Sequence, residues 1–137
     1  MPLTHHEGCF GCGAGNAEGL HMEVEAQPEG GVAGRFTVRQ AHEGPPGHAH
    51  GGIVGAALDE AMALLLQSEG LDARTAHMEV DLHMPAPIGA DVSVKARIDG
   101  REKQKVRASA SAAGEGGTIG EARALFVLVG PPSGAED

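Results

Sequence analysis

The chain has no tryptophan and no tyrosine among its 137 residues, and only three phenylalanines. The aromatic platforms on which proteins stack single-stranded nucleic acid are therefore missing. Positive charge is scarce too, with 10 Lys and Arg against 19 Asp and Glu and a formal net charge of −9. A general nucleic-acid binder needs a basic face to neutralise phosphates, so this balance argues against that class. No apolar run reaches the roughly 18 residues of a membrane span, because Asp59 and Glu60 interrupt the best candidate. Met1 to Glu7 lack a basic stretch followed by an apolar core, and a secretory signal is not expected. What remains is one soluble domain over residues 1–137, expected in the cytoplasm. It is long enough to bury roughly two-thirds of its unfolded surface.

Cysteine is nearly absent as well. Cys9 and Cys12 stand in Cys9-Phe10-Gly11-Cys12. Outside a secretory context a structural disulfide is not expected. A thioredoxin-like redox pair would open a helix after a strand, whereas this pair precedes any strand. With His5, His6 and His21 nearby, the pair could complete a metal site of two cysteines and two histidines. The preferred reading is a tight loop in which Gly11 and Gly13 allow the turn, and no metal is expected.

What the chain does have is a long apolar segment with two acids inside it. From Gly51 to Leu66 the only polar side chains are Asp59 and Glu60. Ile53, Val54, Leu58, Met62, Leu64, Leu65 and Leu66 cover nearly every direction around a helix axis. Such a helix is expected to be buried on most sides, ending near Gly70. A buried carboxylate without a partner is costly, so the acids mark where function should be sought.

Around this helix the pattern is that of strands. Met1 to Gly19 is irregular, and Leu20 to Ala26 alternates apolar and polar residues. A turn at Gln27 to Gly31 leads to a second alternation, Val32 to Arg39. Gln40 to Ala49 is a Pro/Gly/His-rich loop without an element of its own. Thr75 to Met84 is the clearest strand. Its alternation puts Ala76, Met78, Val80, Leu82 and Met84 on one face, with Thr75, His77, Glu79, Asp81 and His83 on the other. Three more strands follow, Asp91 to Asp99, Lys103 to Ala113 and Thr118 to Val129, and the tail from Gly130 to Asp137 is expected to be disordered. A helix apolar all round is best covered by a strongly curved antiparallel sheet of about six strands. The fold class is α+β, with the hotdog architecture.

The residues that could do chemistry carry a resemblance. His50-Gly51-Gly52 is followed by Asp59, nine residues after the histidine. Cys9-Phe10-Gly11-Cys12-Gly13 opens the chain, with Asn16 and Gly19-Leu20 behind it, and Pro85-Ala86-Pro87-Ile88-Gly89 follows a strand. Together these features resemble hotdog-fold thioesterases of the phenylacetic-acid-degradation and 4-hydroxybenzoyl-CoA type, over about Cys9 to Val129. The resemblance implies an acyl-CoA thioesterase releasing a free acid and CoA, with no cofactor beyond the CoA of its substrate. It places the oxyanion donor at Gly51 and gives Thr75 the task of holding the water or the carboxylate. The loop before the motif often carries an Asn or Gln in such enzymes. Here it reads His42-Glu43-Gly44, so Glu43 is the candidate replacement.

Geometry adds a constraint that the motif does not contain. Gly51 and Asp59 are eight residues apart, about 12 Å along a helix. One thioester carbon cannot touch both ends of that span, so the site should be shared between subunits of a homodimer or a dimer of dimers. The helix start suits an oxyanion, because its first N–H groups lack intrahelical partners and its dipole is positive there. Gly52 leaves the approach open, and His50 orients the loop or closes the site. Asp59 is the candidate general base or nucleophile. Glu60, about 100° further around the helix, faces elsewhere and forms a structural pair or borders the site. A second acid such as Glu43 beside Asp59 would raise a carboxyl pKa.

Two charged stretches have a functional and a bland reading. Arg101, Lys103, Lys105 and Arg107 could meet the phosphates of CoA, or serve as solubilising charges. His77, Glu79, Asp81 and His83 read as a solvated sheet face rather than a metal site or a subunit contact. The runner-up function is a non-catalytic hotdog protein that binds acyl-CoA as ligand or sensor. A hotdog dehydratase acting on enoyl-CoA would carry a His/Asp pair in another pattern on the helix.

Overall fold

The computed structural model describes residues 2–129, and the expected disordered tail lies outside them. The chain folds as β1 (Glu23–Ala26), β2 (Val32–Thr37), α1 (Gly51–Ser68), β3 (Ala73–Leu82), β4 (Asp91–Glu102), β5 (Lys105–Gly114) and β6 (Gly117–Leu128). One 3-10 turn, Gln40–His42, interrupts the loop that was expected to hold no element. The six strands form one antiparallel sheet in the order β1-β2-β4-β5-β6-β3. Short turns join β4, β5 and β6, so these neighbours pair in sequence order. Helix α1 instead crosses the concave side and delivers the chain from β2 to the far edge, where β3 pairs with β6. This is the hotdog architecture.

The helix ends follow local chemistry. His50 caps the start, its imidazole Nδ1 accepting from the Gly52 N–H at 2.8 Å. At the other end Gly70 adopts φ of 78°. Its N–H reaches the Gln67 carbonyl at 2.9 Å, and the Leu71 N–H reaches that of Leu66 at 3.0 Å. That double bond pattern is a Schellman closure, which favours glycine at the left-handed position.

The core lies between the concave sheet face and the helix. Val92 and Val94 of β4, Val106 and Ala108 of β5, and Ala122 and Phe126 of β6 face Leu58, Met62 and Leu65 of α1. Alanines on the sheet let the helix approach closely, and each buried Leu or Met contributes about 1.5–3 kcal/mol. The N-terminal segment covers a second side of the helix. The Leu20 and Met22 N–H groups donate to the carbonyls of Phe10 and Gly11, and Gln67 Nε2 donates to Thr4 O at 2.8 Å.

The helix is buried on most sides, as its composition predicts, and one side is left open. Gly52, Ala56, Asp59 and Ala63 are partly exposed at spacings of four, three and four residues, which is one helical face. The sheet and the N-terminal segment reach only the other directions. Beside this stripe, Leu82 and Met84 at the end of the β3 edge are 52% and 37% exposed. The two acids differ in setting: Asp59 lies on the open stripe, whereas Glu60 is buried and paired with His5.

Candidate active site

Asp59 meets a single polar side chain from the sheet. Thr75 Oγ1 donates to Asp59 Oδ1 at 2.7 Å. Strict alternation would have put Thr75 on the outer face with His77. The sheet corrects this with a bulge: Thr75 pairs with Phe126, His77 pairs with Leu125, and Ala76 is the extra residue between them. Thr75 therefore shares the inward face of Phe126, and His77 faces out. The bulge is what lets the hydroxyl reach the acid.

At the helix start the first amides are allotted unevenly. The Gly52 N–H goes to His50 Nδ1, and the Ile53 N–H goes to the His50 carbonyl at 2.9 Å. Among the described residues no acceptor stands against the Gly51 N–H. His50 is itself held by its N–H on the His42 carbonyl at 2.9 Å. An acceptor Nδ1 puts the proton of a neutral His50 on Nε2. His50 thus acts as a cap that leaves one amide pointing outward, with the positive end of the dipole behind it.

His42 is a residue that sequence reasoning missed. It is buried, accepts from the Arg39 N–H at 3.0 Å, and turns Nε2 to the carbonyls of Glu18 and Gly19 at 3.2 Å each. It braces the loop that places His50, and a lone histidine in a Gly/Pro-rich loop carries no signal of that.

Glu43 does not join Asp59. Its carboxylate is engaged within its own loop, accepting from Gln40 Nε2 at 2.5 Å and from the Gly47 N–H at 2.7 Å. Lys103 sits in the β4–β5 turn at φ of 55°, flanked by exposed Arg101 and Lys105. A second bulge, between Ile98 and Gly100, pairs Arg101 with Val106. Arg101 is thereby in the inward row that runs through Val106 and Phe126 to Thr75. Three strand spacings separate it from Thr75, about 14 Å. Lys105 pairs with Val127 and faces outward.

The acidic and histidine row of β3 is exposed. Arg123 reaches Glu79 at 3.1 Å and Asp81 at 3.3 Å, and His83 lies 3.2 Å from Glu121. The Arg123 guanidinium, then His77, hold the Glu79 carboxyl below its ordinary range. These are surface ion pairs, away from Asp59.

The N-terminal loop draws together His5, Cys9, Cys12 and Glu60. Burial, followed by the Glu60 carboxylate, pushes the Cys12 thiol well above its usual range. Glu60 lies on the other side of the helix from the stripe that carries Asp59.

The family model of the thioesterase superfamily matches residues 46–119, from the loop ahead of α1 into β6. This chain belongs to the thioesterase superfamily. Solved structures of the superfamily share its fold. A crystal structure of the thioesterase superfamily protein RHA08564 matches with a TM-score of 0.82 and 24% identity over 88% of this chain. The chain spans 60% of that protein's length. The PaaI protein of the E. coli phenylacetic acid degradation operon matches at a TM-score of 0.74 and 21% identity, covering 81% of each chain. A hypothetical thioesterase from Streptococcus pneumoniae TIGR4, solved with coenzyme A, gives 0.74 and 19% identity over 80% of this chain and 89% of its own. The same Streptococcus protein has been solved with an aspartate and, separately, a threonine replaced by alanine. Those two positions are 16 residues apart, the separation of Asp59 and Thr75.

Proposed function

We propose that this protein hydrolyses an acyl-CoA thioester to a free acid and CoA, in the cytoplasm, as a homodimer or a dimer of dimers. The observation that carries the reading is the Asp59–Thr75 contact on the open face of α1. A carboxylate held by one hydroxyl, in a stripe of small residues, is placed for a substrate rather than for the core. The coenzyme A in the Streptococcus relative supports the ligand class. The threonine and aspartate chosen for substitution there support the pair.

On this reading the thioester oxygen takes the Gly51 N–H at the positive end of the helix. Asp59 of a second copy supplies the other half, because about 12 Å of helix separates the two groups within one chain. As general base, Asp59 removes a proton from water as its oxygen bonds to the acyl carbon. The tetrahedral adduct collapses, the carbon–sulfur bond breaks, and the proton returns to the departing thiolate. As nucleophile, Asp59 would attack the acyl carbon and expel the CoA thiolate as the carbon–sulfur bond breaks, giving a mixed anhydride that water then opens to the free acid and the Asp59 carboxylate. Thr75 orients the carboxylate in either route. Gly52 keeps the approach clear, His50 fixes the helix start, and Glu43 stiffens the loop ahead of it. Arg101, Lys103 and Lys105 form a basic edge suited to the CoA phosphates. Ile53, Leu82 and Met84 offer an aliphatic wall for the acyl group.

Thiol release across a panel of acyl-CoAs tests the activity, and binding without hydrolysis would replace the enzyme with an acyl-CoA sensor. A second experiment tests the shared site. Gly51→Pro removes the amide proton at the first helical position, where proline is favoured, and His50 already has the extended backbone that a following proline requires (φ −62°, ψ 138°). Its folded protein should lose about a hundredfold to a thousandfold in kcat. Mixing it with Asp59→Asn chains should restore up to about a quarter of wild-type activity if each site draws on two subunits. No recovery in verified mixed dimers would place both groups in one chain.

A further inference from the structure

We propose that His5, Cys9, Cys12 and Glu60 bind a zinc ion that clamps the N-terminal segment onto α1. Four side chains of metal-ligating type, from two distant parts of the chain, bring one donor atom each within 4.8 Å of one another. His5 Nδ1 lies 3.7 Å from both Cys9 Sγ and Cys12 Sγ. Cys9 Sγ lies 3.5 Å from Glu60 Oε2. A tetrahedral zinc, at about 2.3 Å from sulfur and 2.0–2.1 Å from nitrogen or oxygen, sets edges of roughly 3.5–3.8 Å between a sulfur and its neighbours. The three sulfur edges just given already have that length, and every other pair of donor atoms lies within 4.8 Å. The edge from His5 Nδ1 to Glu60 Oε2 is shorter, at 3.0 Å. This is a hydrogen-bond distance, which opens by about 0.3–0.4 Å when a metal takes both atoms.

The surroundings are built for such a site. The His5 N–H donates to Cys12 Sγ at 3.2 Å, and the Gly13 N–H donates to the Cys9 carbonyl at 2.8 Å, folding the Cys-x-x-Cys segment back on itself. A Cβ on Gly11 would come within 2.4–2.6 Å of the Glu60 side chain, and one on Gly13 within 2.2 Å of the Glu7 carbonyl. Gly11 makes room for the approach of the helix acid, and Gly13 for the loop's own backbone to close on itself. Two thiolates with one imidazole select zinc over magnesium or calcium, and a full set of four protein ligands marks a structural rather than a catalytic ion. The other two histidines near the pair are not in the cluster. His21 Nε2 is 2.7 Å from the Asn16 carbonyl, and His6 Nδ1 accepts from Gly8 N–H. Glu60 takes the fourth place. The metal cluster is independent of the thioesterase reading.

The test uses the whole protein and does not require activity. Protein made with zinc present should carry one equivalent per chain by elemental analysis. After chelation, titration with Co2+ should give the intense visible bands of a tetrahedral site and a thiolate charge-transfer band in the near ultraviolet. Cys12→Ser should weaken metal affinity by roughly a hundredfold or more, and Glu60→Gln, which keeps the size of the side chain, by about tenfold or more. Glu60→Gln should retain the charge-transfer band, because both sulfurs remain. Absence of zinc with no tetrahedral Co2+ spectrum would overturn the proposal. So would a metal whose affinity is unchanged by both substitutions, or a Cys9–Cys12 disulfide that forms in place of metal uptake.

Discussion

The two acids of α1 are adjacent in sequence and opposite in circumstance. Asp59 stands on a stripe of small residues that nothing among the described residues covers, with one hydroxyl as its partner. Glu60 is buried under the N-terminal loop, among two thiols and an imidazole. One residue step, about 100° around the helix axis, separates a group available to a substrate from one sealed inside the domain. The open face of the helix is thus where chemistry is affordable, and the closed face is where stability resides.

Asp59→Asn should break that comparison most clearly. Turnover should fall by about 10²–10⁴-fold, with the melting temperature nearly unchanged, as general-base loss at a partly exposed site requires. Parallel rate assays and thermal melts decide it, and full activity in Asp59→Asn would remove this residue from the mechanism. Leu58→Ala, one position earlier and fully buried, should do the reverse. It should cost about 2–5 kcal/mol in denaturant unfolding, while protein that remains folded keeps its turnover.

Thr75→Val sharpens the open side further. It keeps the β-branched shape and deletes the hydroxyl on Asp59, so kcat should drop about tenfold, the scale of one hydrogen bond to a charged group. The smallest effect belongs to the outer sheet face. Arg123→Ala should let the Glu79 carboxyl titrate nearer its ordinary range, readable by NMR. The depressed carboxyl contributes stability above its unfolded pKa, and that contribution is lost as pH falls through the folded value. Because the pair is fully exposed, the melting temperature should barely respond.

Most of the fold was legible because it rests on periodicity. The β-strand alternations and the uninterrupted apolar stretch from Gly51 fixed six strands and one helix to within a few residues at their ends. The hotdog arrangement followed from the need to cover that helix. Alternation also misled at one point. It assigned Thr75 to the face of His77, since a pattern of period two carries no mark of a bulge at Ala76. Composition misled at another, because alanine and glycine count as apolar whether or not anything covers them. Ala56 and Ala63 therefore gave no sign of an open face, yet they line the open stripe. The partners of Glu60 were hidden for a different reason. His5 and Cys9 lie 55 and 51 residues away, beyond any local pattern, and only the folded loop brings them together.

The bulge in β3 has a consequence for how this site can change over time. The contact between Thr75 and Asp59 depends on where the strand accommodates its extra residue as much as on the kinds of residue in it. Thr75 and His77 already stand on successive rungs, opposite Phe126 and Leu125, so deleting Ala76 would join them in an unbroken rhythm with the hydroxyl still inward. Drawing Ala76 into a regular ladder would instead move Thr75 one rung along and swing its hydroxyl to the solvent side. The site tolerates a shorter strand better than a straightened one.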